Sequence, residues 1–243
     1  MPETVYQRVV LKLSGEALAG EGGIGLDFPR VRSLARDLGA LTRLGTELLL
    51  VIGGGNLLRG RSARESGVPP VQADRIGMLG TVMNALALSA ALDAEGVPVL
   101  ALNATPLEPF AALYTPERAR AALADGKVVI AAGGIGQPFF STDTTAALRA
   151  VEVEADCLLK ATTVDGVFSG DPRKDPQAVR LPRLSYDEVL ERQLAVMDAT
   201  AFALCREHAV PVRVFNFMEP GALERVLKGE PLGSLVSEKE RQR

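Results

Sequence analysis

Residues 9–15 read Val9-Val10-Leu11-Lys12-Leu13-Ser14-Gly15, and residues 48–56 read Leu48-Leu49-Leu50-Val51-Ile52-Gly53-Gly54-Gly55-Asn56. Each is an apolar run that reads as a strand and closes on a glycine-bearing loop. Glycine at a strand's carboxyl end lets backbone N–H groups approach a ligand closely, and a following helix N-terminus adds positive potential. Lys12 in the first loop and Arg59 just past the second supply cationic charge. One such loop alone is an ordinary turn. Two, both flanked by cations, point to a phosphate-rich substrate.

Outward from these runs, strands and amphipathic helices alternate. Strands are expected at 5–13, 46–52, 97–102, 127–132, 155–160 and 211–216. Helices are expected at 29–44, 71–95, 115–124, 142–152, 185–208 (as one helix or two) and 219–228. Thr115-Pro116-Glu117 reads as an N-cap with proline at the first helical position, Gly126 ends that helix, and Pro220 opens the last. The alternation predicts an α/β fold, a three-layer αβα sandwich around a largely parallel sheet. Ligands of such folds sit beyond the carboxyl ends of the strands, where both loops lie. Two regions break the rhythm. Residues 16–28 are glycine-rich and read as a loop or small excursion; in 162–176, Asp165-Gly166 between valines signals a hairpin ahead of a proline-punctuated loop.

The 243 residues, 47% hydrophobic, are enough for one large α/β domain or two intimately joined lobes. A net charge of −3 argues against broad nucleic-acid binding. Charged residues interrupt the apolar stretches, so no membrane span is expected. Met1-Pro2-Glu3-Thr4 lacks a signal-peptide pattern, which makes the cytoplasm the expected location. Cys157 and Cys205 stand apart and read as reduced, buried thiols. With them and a single histidine, His208, neither a zinc site nor a Ser-His-Asp triad is expected.

A third glycine loop, Gly133-Gly134-Ile135-Gly136-Gln137-Pro138-Phe139-Phe140-Ser141-Thr142-Asp143, also follows a strand. One of Ser141, Thr142 or Asp143 caps the next helix; the other groups suit a nucleobase and a phosphate, with Phe139 and Phe140 either there or in the core. The spacing G-x-G-x-x-G is missed in both glycine runs and a Walker A loop is absent, so a phosphate enzyme here works without a P-loop. Asp198, alone in Val196-Met197-Asp198-Ala199-Thr200-Ala201, is either a helix N-cap or a buried acid with a charged partner. Asp74 and Arg75 read equally as surface charges.

The order Lys12-Leu-Ser-Gly, Gly53-Gly-Gly-Asn-x-x-Arg59, Gly136-x-Pro-Phe-Phe-Ser-Thr-Asp143, Lys160-Ala-Thr-x-Val-Asp-Gly-Val-Phe168 and Val196-Met-Asp198 closely resembles the bacterial uridylate (UMP) kinases of the amino acid kinase superfamily. The likeness runs from about residue 6 to Ser237. It implies a single domain over 1–243, with a UMP-binding lobe at about 1–150 and an ATP-binding lobe at about 151–243. It also implies transfer of the γ-phosphoryl of ATP to UMP, giving UDP. Lys12, Leu13, Ser14, Gly15, Gly55 and Arg59 would hold the ATP phosphates, and Thr162, Phe168 and Asp171 its adenosine. Gly54, Asp74 and the stretch Ile135, Gly136, Gln137, Pro138, Phe139, Phe140, Ser141, Thr142 would hold UMP, Asp74 at the ribose. Lys12, Arg59, Asp143 and Asp198 would be the catalytic set, Asp198 orienting Lys12. Mg²⁺ would accompany ATP, bound mostly by phosphate oxygens and water, with Asp143 and Asp198 the nearest carboxylates. Many relatives carry threonine and asparagine at the positions of Ile135 and Gln137; Ser141 in place of threonine keeps the hydroxyl.

The resemblance further implies a homohexamer inhibited by UTP and activated by GTP. The expected helix at 71–95 has a wide apolar face (Ile76, Met78, Leu79, Val82, Met83, Leu86), which suits either a subunit interface or a well-buried central helix. The rival readings are another phosphotransferase of the superfamily (acetylglutamate, aspartate or carbamate kinase) and a non-catalytic nucleotide-binding protein on the same fold.

Overall fold

A computed structural model describes residues 4–58, 65–194 and 196–238. Its centre is a nine-stranded sheet. The strands are β1 (Arg8–Leu13), β2 (Glu47–Ile52), β3 (Val99–Asn103), β4 (Ala112–Leu113), β5 (Val128–Ala132), β6 (Cys157–Thr162), β7 (Arg183–Ser185), β8 (Val212–Asn216) and β9 (Ser234–Ser237). Their spatial order is β4-β3-β5-β2-β1-β6-β8-β9-β7. Every pairing is parallel except β8 with β9. The helices are α1 (Phe28–Thr42), α2 (Pro70–Ala94), α3 (Pro116–Ala124), α4 (Thr142–Glu152), α5 (Tyr186–Glu191), α6 (Ala199–Glu207) and α7 (Ala222–Leu227).

Side chains of a strand alternate between its faces, and the core divides on that period. Val9, Leu11 and Leu13 of β1, with Leu48, Leu50 and Ile52 of β2, pack under α1, α2 and α7. Val10, Leu49 and Val51 pack on the other side, under α3, α4, α5 and α6. Lys12 shares the parity of Val10, so it emerges on the face covered by α4. Lys160 shares the parity of Leu158 on β6 and emerges on the same face. The parallel register pairs Lys12 directly with Lys160.

Local sequence explains the helices that flank these lysines. Asp27 caps α1, accepting from the Arg30 N–H at 3.0 Å, and Val31, Leu34, Ala35 and Leu38 bury one stripe. Ser141 caps α4, accepting from the N–H groups of Asp143 (3.0 Å) and Thr144 (3.1 Å). The buried face of α4 is built from Ala146, Ala147 and Ala150, small residues that let the helix sit close over β1. Its first turn therefore reaches the lysines.

Of the two readings of 185–208 the structure has two helices, α5 and α6, and the glycine-rich segment holds the small excursion expected, beginning with a 3-10 turn at Gly15–Leu18. The structure departs from expectation in three places. Strands β4, β7 and β9 are additional. No hairpin forms about Asp165-Gly166; instead Ser169 pairs with Val179 and Leu181 with Val167 through backbone hydrogen bonds of 2.9 and 2.8 Å. Gly166 is needed for another reason: a Cβ there would lie 2.5 Å from Ser234 Oγ at the start of β9. Finally, α2 is long and apolar enough to cross a membrane by length and composition, contrary to expectation. In the fold it lies along the sheet and α1, burying Val82, Ala85, Leu88 and Leu92. Cys157 and Cys205 are both buried and free, and burial pushes each thiol up to about 12.

Candidate active site

Two ammonium groups lie side by side in a poorly solvated place, and α4 provides their counterion. Asp143 Oδ1 lies 2.9 Å from Lys12 Nζ, and its other oxygen accepts a hydrogen bond from Lys160 Nζ. All three side chains are at most 15% exposed. Burial works to raise the Asp143 carboxyl, but the two ammonium groups outweigh it and hold it below the ordinary carboxylate value. Lys160 is lowered to about 8, first by burial and then by repulsion from Lys12, with Asp143 working against both. Sequence reading missed Lys160 as a site residue. Its signal was present: a lone charge at the end of the apolar run Cys157-Leu158-Leu159.

Three cavities open at the carboxyl ends of the strands around this triad. The largest, about 580 Å³, is lined by Lys12, Leu13, Ser14, Lys160, Thr162, Thr163, Arg30 and Arg173 among others. Beside it a cavity of about 490 Å³ takes in Thr162, Phe168, Asp171, Arg173 and Val196. The third, a cleft of about 220 Å³, is lined by Gly54, Gly55, Asp74, Gly134, Gln137, Phe140 and Thr142 among others. Thr142 thus lines the small cleft while its neighbour Asp143 grips the lysines. The N-terminus of α4, with its positive end, stands at that junction.

The glycine loops are held rigidly. A Cβ on Gly54 would lie 2.5 Å from the Gly77 carbonyl oxygen, so only glycine lets this loop pass against α2. Gly15 is equally constrained, since a Cβ there would lie 2.2 Å from Asn56 Oδ1. Asn56 and the fully buried Asn84 exchange amide hydrogen bonds of 3.1 and 2.7 Å, and Asn84 also donates to the Gly53 carbonyl at 2.7 Å.

The remaining residues expected from sequence fall as follows. Phe139 and Phe140 are exposed, at 69% and 50%, which overturns the core alternative. Phe139 has φ of 71° and donates its N–H to Asp74 Oδ2 at 2.8 Å, so Asp74 is tied to the third glycine loop. Gly136 closes a turn onto the Gly133 carbonyl at 3.1 Å, and Ile135 and Pro138 are half-buried beside it. Gly55 lines the small cleft and not the large cavity beside Lys12. Asp198 caps α6, accepting from the Ala201 N–H at 2.9 Å; it also accepts from Thr144 Oγ1 at 2.9 Å and from the Ser141 hydroxyl. It is therefore both a cap and a tie between the first turns of α4 and α6, and the carboxylate that meets Lys12 is Asp143. Asp171 accepts from the Arg173 N–H at 3.0 Å, shaping the turn that walls the adjoining cavity. Arg59 lies outside the described residues.

For a metal, the described residues contain no cluster of three or more His, Cys, Asp or Glu side chains. Asp143 is taken by two lysines and Asp198 by three hydrogen-bond donors, so neither is available as a ready ligand.

The family model described as "Amino acid kinase family" matches residues 7–216. A curated uridylate kinase of Bradyrhizobium sp. (strain ORS 278) is 50% identical over 237 residues, covering 98% of this chain and all of the relative. The uridylate kinase of Nitrobacter hamburgensis is 49% identical with the same coverage. Among solved structures, the UMP kinase of Bacillus anthracis superposes with a TM-score of 0.93 at 39% identity, covering 97% of both chains. That of Ureaplasma parvum gives 0.90 at 34% identity, over 96% of this chain and 99% of the other.

Proposed function

The chain belongs to the amino acid kinase family, and within it we propose that this protein transfers the γ-phosphoryl of ATP to UMP, forming ADP and UDP for pyrimidine nucleotide synthesis. The observation that carries the assignment is the junction at Thr142-Asp143: one residue lines the small cleft and the next fixes two cations lining the large cavity. UMP occupies the small cleft in the first lobe, about 1–150, and ATP the two larger cavities, mainly in the second, about 151–243. Their phosphates meet at Lys12, Lys160 and the N-terminus of α4.

Phosphoryl transfer needs positioning and charge neutralisation more than covalent help. The phosphate of UMP is already largely dianionic at neutral pH, as a monoester with a second pKa of about 6, so it attacks without a general base. Lys12 and Lys160 stabilise the charge spread over the equatorial oxygens in the transition state. Asp143 aims both lysines and favours the protonated form of Lys160. The Gly54 and Gly55 N–H groups and Arg59 add donors, and Asp74 takes the ribose hydroxyls. Phe168, Thr162 and Asp171 surround the adenosine. Mg²⁺ would come with ATP and neutralise part of its phosphate charge, without a ready side-chain ligand among the described residues.

The proposal extends to regulation and assembly. UTP inhibits by filling the UMP cleft, so its effect weakens as UMP rises; GTP activates through a site between subunits. The assembly is a homohexamer, as the family resemblance implies; Ile76, Leu79 and Met83 of α2, 45%, 53% and 54% exposed, support a subunit interface on that helix. The location is cytoplasmic.

The test is ADP release from ATP and Mg²⁺ with UMP, CMP, AMP or aspartate as acceptor. UMP should exceed every other acceptor by orders of magnitude, because buried polar contacts discriminate strongly. ADP release no faster with UMP than without acceptor, or preferential use of aspartate, would overturn the assignment.

A further inference from the structure

The two larger cavities share three lining residues, Thr162, Thr163 and Arg173. On the reading above, one cavity takes the adenosine and the other holds the transfer centre at Lys12 and Lys160. The phosphate chain of the donor must therefore cross the boundary between them, and Arg173 is the only cation at that boundary among the described residues. We propose that Arg173 binds the non-transferring phosphates of the donor nucleotide, a role that rests on the kinase reading and assigns a further residue to it.

The guanidinium is already placed for this. Arg173 Nη2 donates to Thr163 Oγ1 at 2.6 Å, which docks it at the end of the strand carrying Lys160. Its backbone is fixed by the Asp171 turn: the Arg173 N–H donates to Asp171 Oδ1 at 3.0 Å, and the Lys174 and Asp175 N–H groups donate to the Asp171 carbonyl at 2.9 and 2.8 Å. The stem of the turn is closed by Ser169 N–H to Val179 O at 2.9 Å and Val179 N–H to Ser169 Oγ at 3.0 Å. Among the described residues, no carboxylate lies within ion-pair distance of the guanidinium; its side-chain partner is a neutral hydroxyl. A planar cation with several free donors, held between two cavities, matches a diphosphate segment in charge and fork geometry. Binding exchanges or adds to the Thr163 bond and needs no backbone movement.

A purely structural Arg173, pinning the turn to Thr163, makes a different prediction from a phosphate ligand. Loss of a pin weakens adenosine, ADP and ATP alike; loss of a phosphate contact weakens only the ligands that carry phosphates. The experiment measures dissociation constants of adenosine, ADP and ATP for the wild-type chain, Arg173→Met and Arg173→Lys by calorimetry, alongside KM values and melting temperature. Arg173→Met should weaken ATP and ADP about 10-fold, or about 1.4 kcal/mol, and raise the KM for ATP similarly. Adenosine affinity, the KM for UMP and the melting temperature should stay unchanged, and Arg173→Lys should recover part of the loss. Equal ATP affinity in wild type and Arg173→Met, or an equal loss for adenosine, would overturn the proposal. If the wild-type chain makes no UDP, the kinase reading fails by that result alone. If it makes UDP and the variant's KM for ATP does not move, only the role of Arg173 falls.

Discussion

Asp143→Asn isolates the electrostatic core of the site, since it replaces the carboxylate between two buried ammonium groups with a neutral isostere. In the native chain Lys12 and Lys160 pair in register and share this one counterion. Without it, the influence that raises the Lys160 value disappears while burial and Lys12 continue to lower it, from a starting point already near 8. The variant's Lys160 therefore holds its proton less firmly, and no carboxylate aims either lysine. Misplacing or losing one such donor to the transferring phosphoryl lowers kcat by about 100- to 1,000-fold. Breaking a buried pair costs about 3–5 kcal/mol when the orphaned charge stays buried; here Lys160 escapes by shedding its proton, so about 2 kcal/mol is expected. At about 2–4 °C per kcal/mol for a chain of this size, the melting temperature drops by about 4–8 °C.

The assay follows ADP release with saturating ATP and UMP, with calorimetric melting in parallel. Thr115→Ala serves as the stability control, because Thr115 caps α3 away from the site, accepting from the Arg118 N–H at 3.2 Å. It should cost about 1 kcal/mol and leave kcat intact. Native-like kcat in Asp143→Asn would refute the claim that this carboxylate readies the two lysines for phosphoryl transfer. A kcat loss no greater than that of Thr115→Ala would assign Asp143 a stabilising role only. The acid limb of stability gives a second check. The folded value of Asp143 is lowered, so its contribution is present above the ordinary carboxylate value and is lost as pH falls through the folded one. That part of the acid loss should be missing in Asp143→Asn.

Two more outcomes follow from the same geometry. Since Lys160 is lowered to about 8, kcat/KM for ATP should decline above about pH 8 as the free enzyme loses that proton; the kcat limb should lie higher, because bound phosphates stabilise the ammonium, and coincident limbs would exclude Lys160 from the nucleotide site. Replacing Leu79 and Met83 of α2 with aspartate should lower the mass seen by light scattering to that of a smaller species, whereas an unchanged mass would place the interface elsewhere.

The main strands and all the long helices were legible because each carries enough residues to show its period. Strands β4, β7 and β9 were not, at two, three and four residues, since so short a segment has no periodicity and its pairing is decided by distant chain. The Asp165-Gly166 signal misled for a related reason. Thr162 Oγ1 donates to the Val164 carbonyl at 2.7 Å, folding that valine into a local turn, and Gly166 is required by contact with Ser234. In the site, the loops that end strands were readable from glycine alone. Lys160 stood out only as a lone charge ending an apolar run; its role depends on pairing with Lys12, and register between strands far apart in sequence cannot be read from either segment. Asp198 shows the limit from the other side: its reading as a cap was right, yet its bonds to Ser141 and Thr144 required knowing that α4 and α6 begin side by side.

The lysine pair also predicts that this site attracts anions. Two cations and one carboxylate leave a net charge of about +1 in a poorly solvated place, and the lowered value of Lys160 records the cost of keeping it protonated there. An arriving phosphate relieves both causes at once, replacing lost solvent and cancelling the repulsion from Lys12. Binding thus recovers free energy that folding had spent. The carboxylate sets the balance. With Asp143 in place the cluster keeps a net positive charge; a second carboxylate would cancel it and remove the attraction. The chain arranges for one by packing an alanine-faced helix close to β1, capped by Ser141 so that its first turn, and only that turn, reaches the charges.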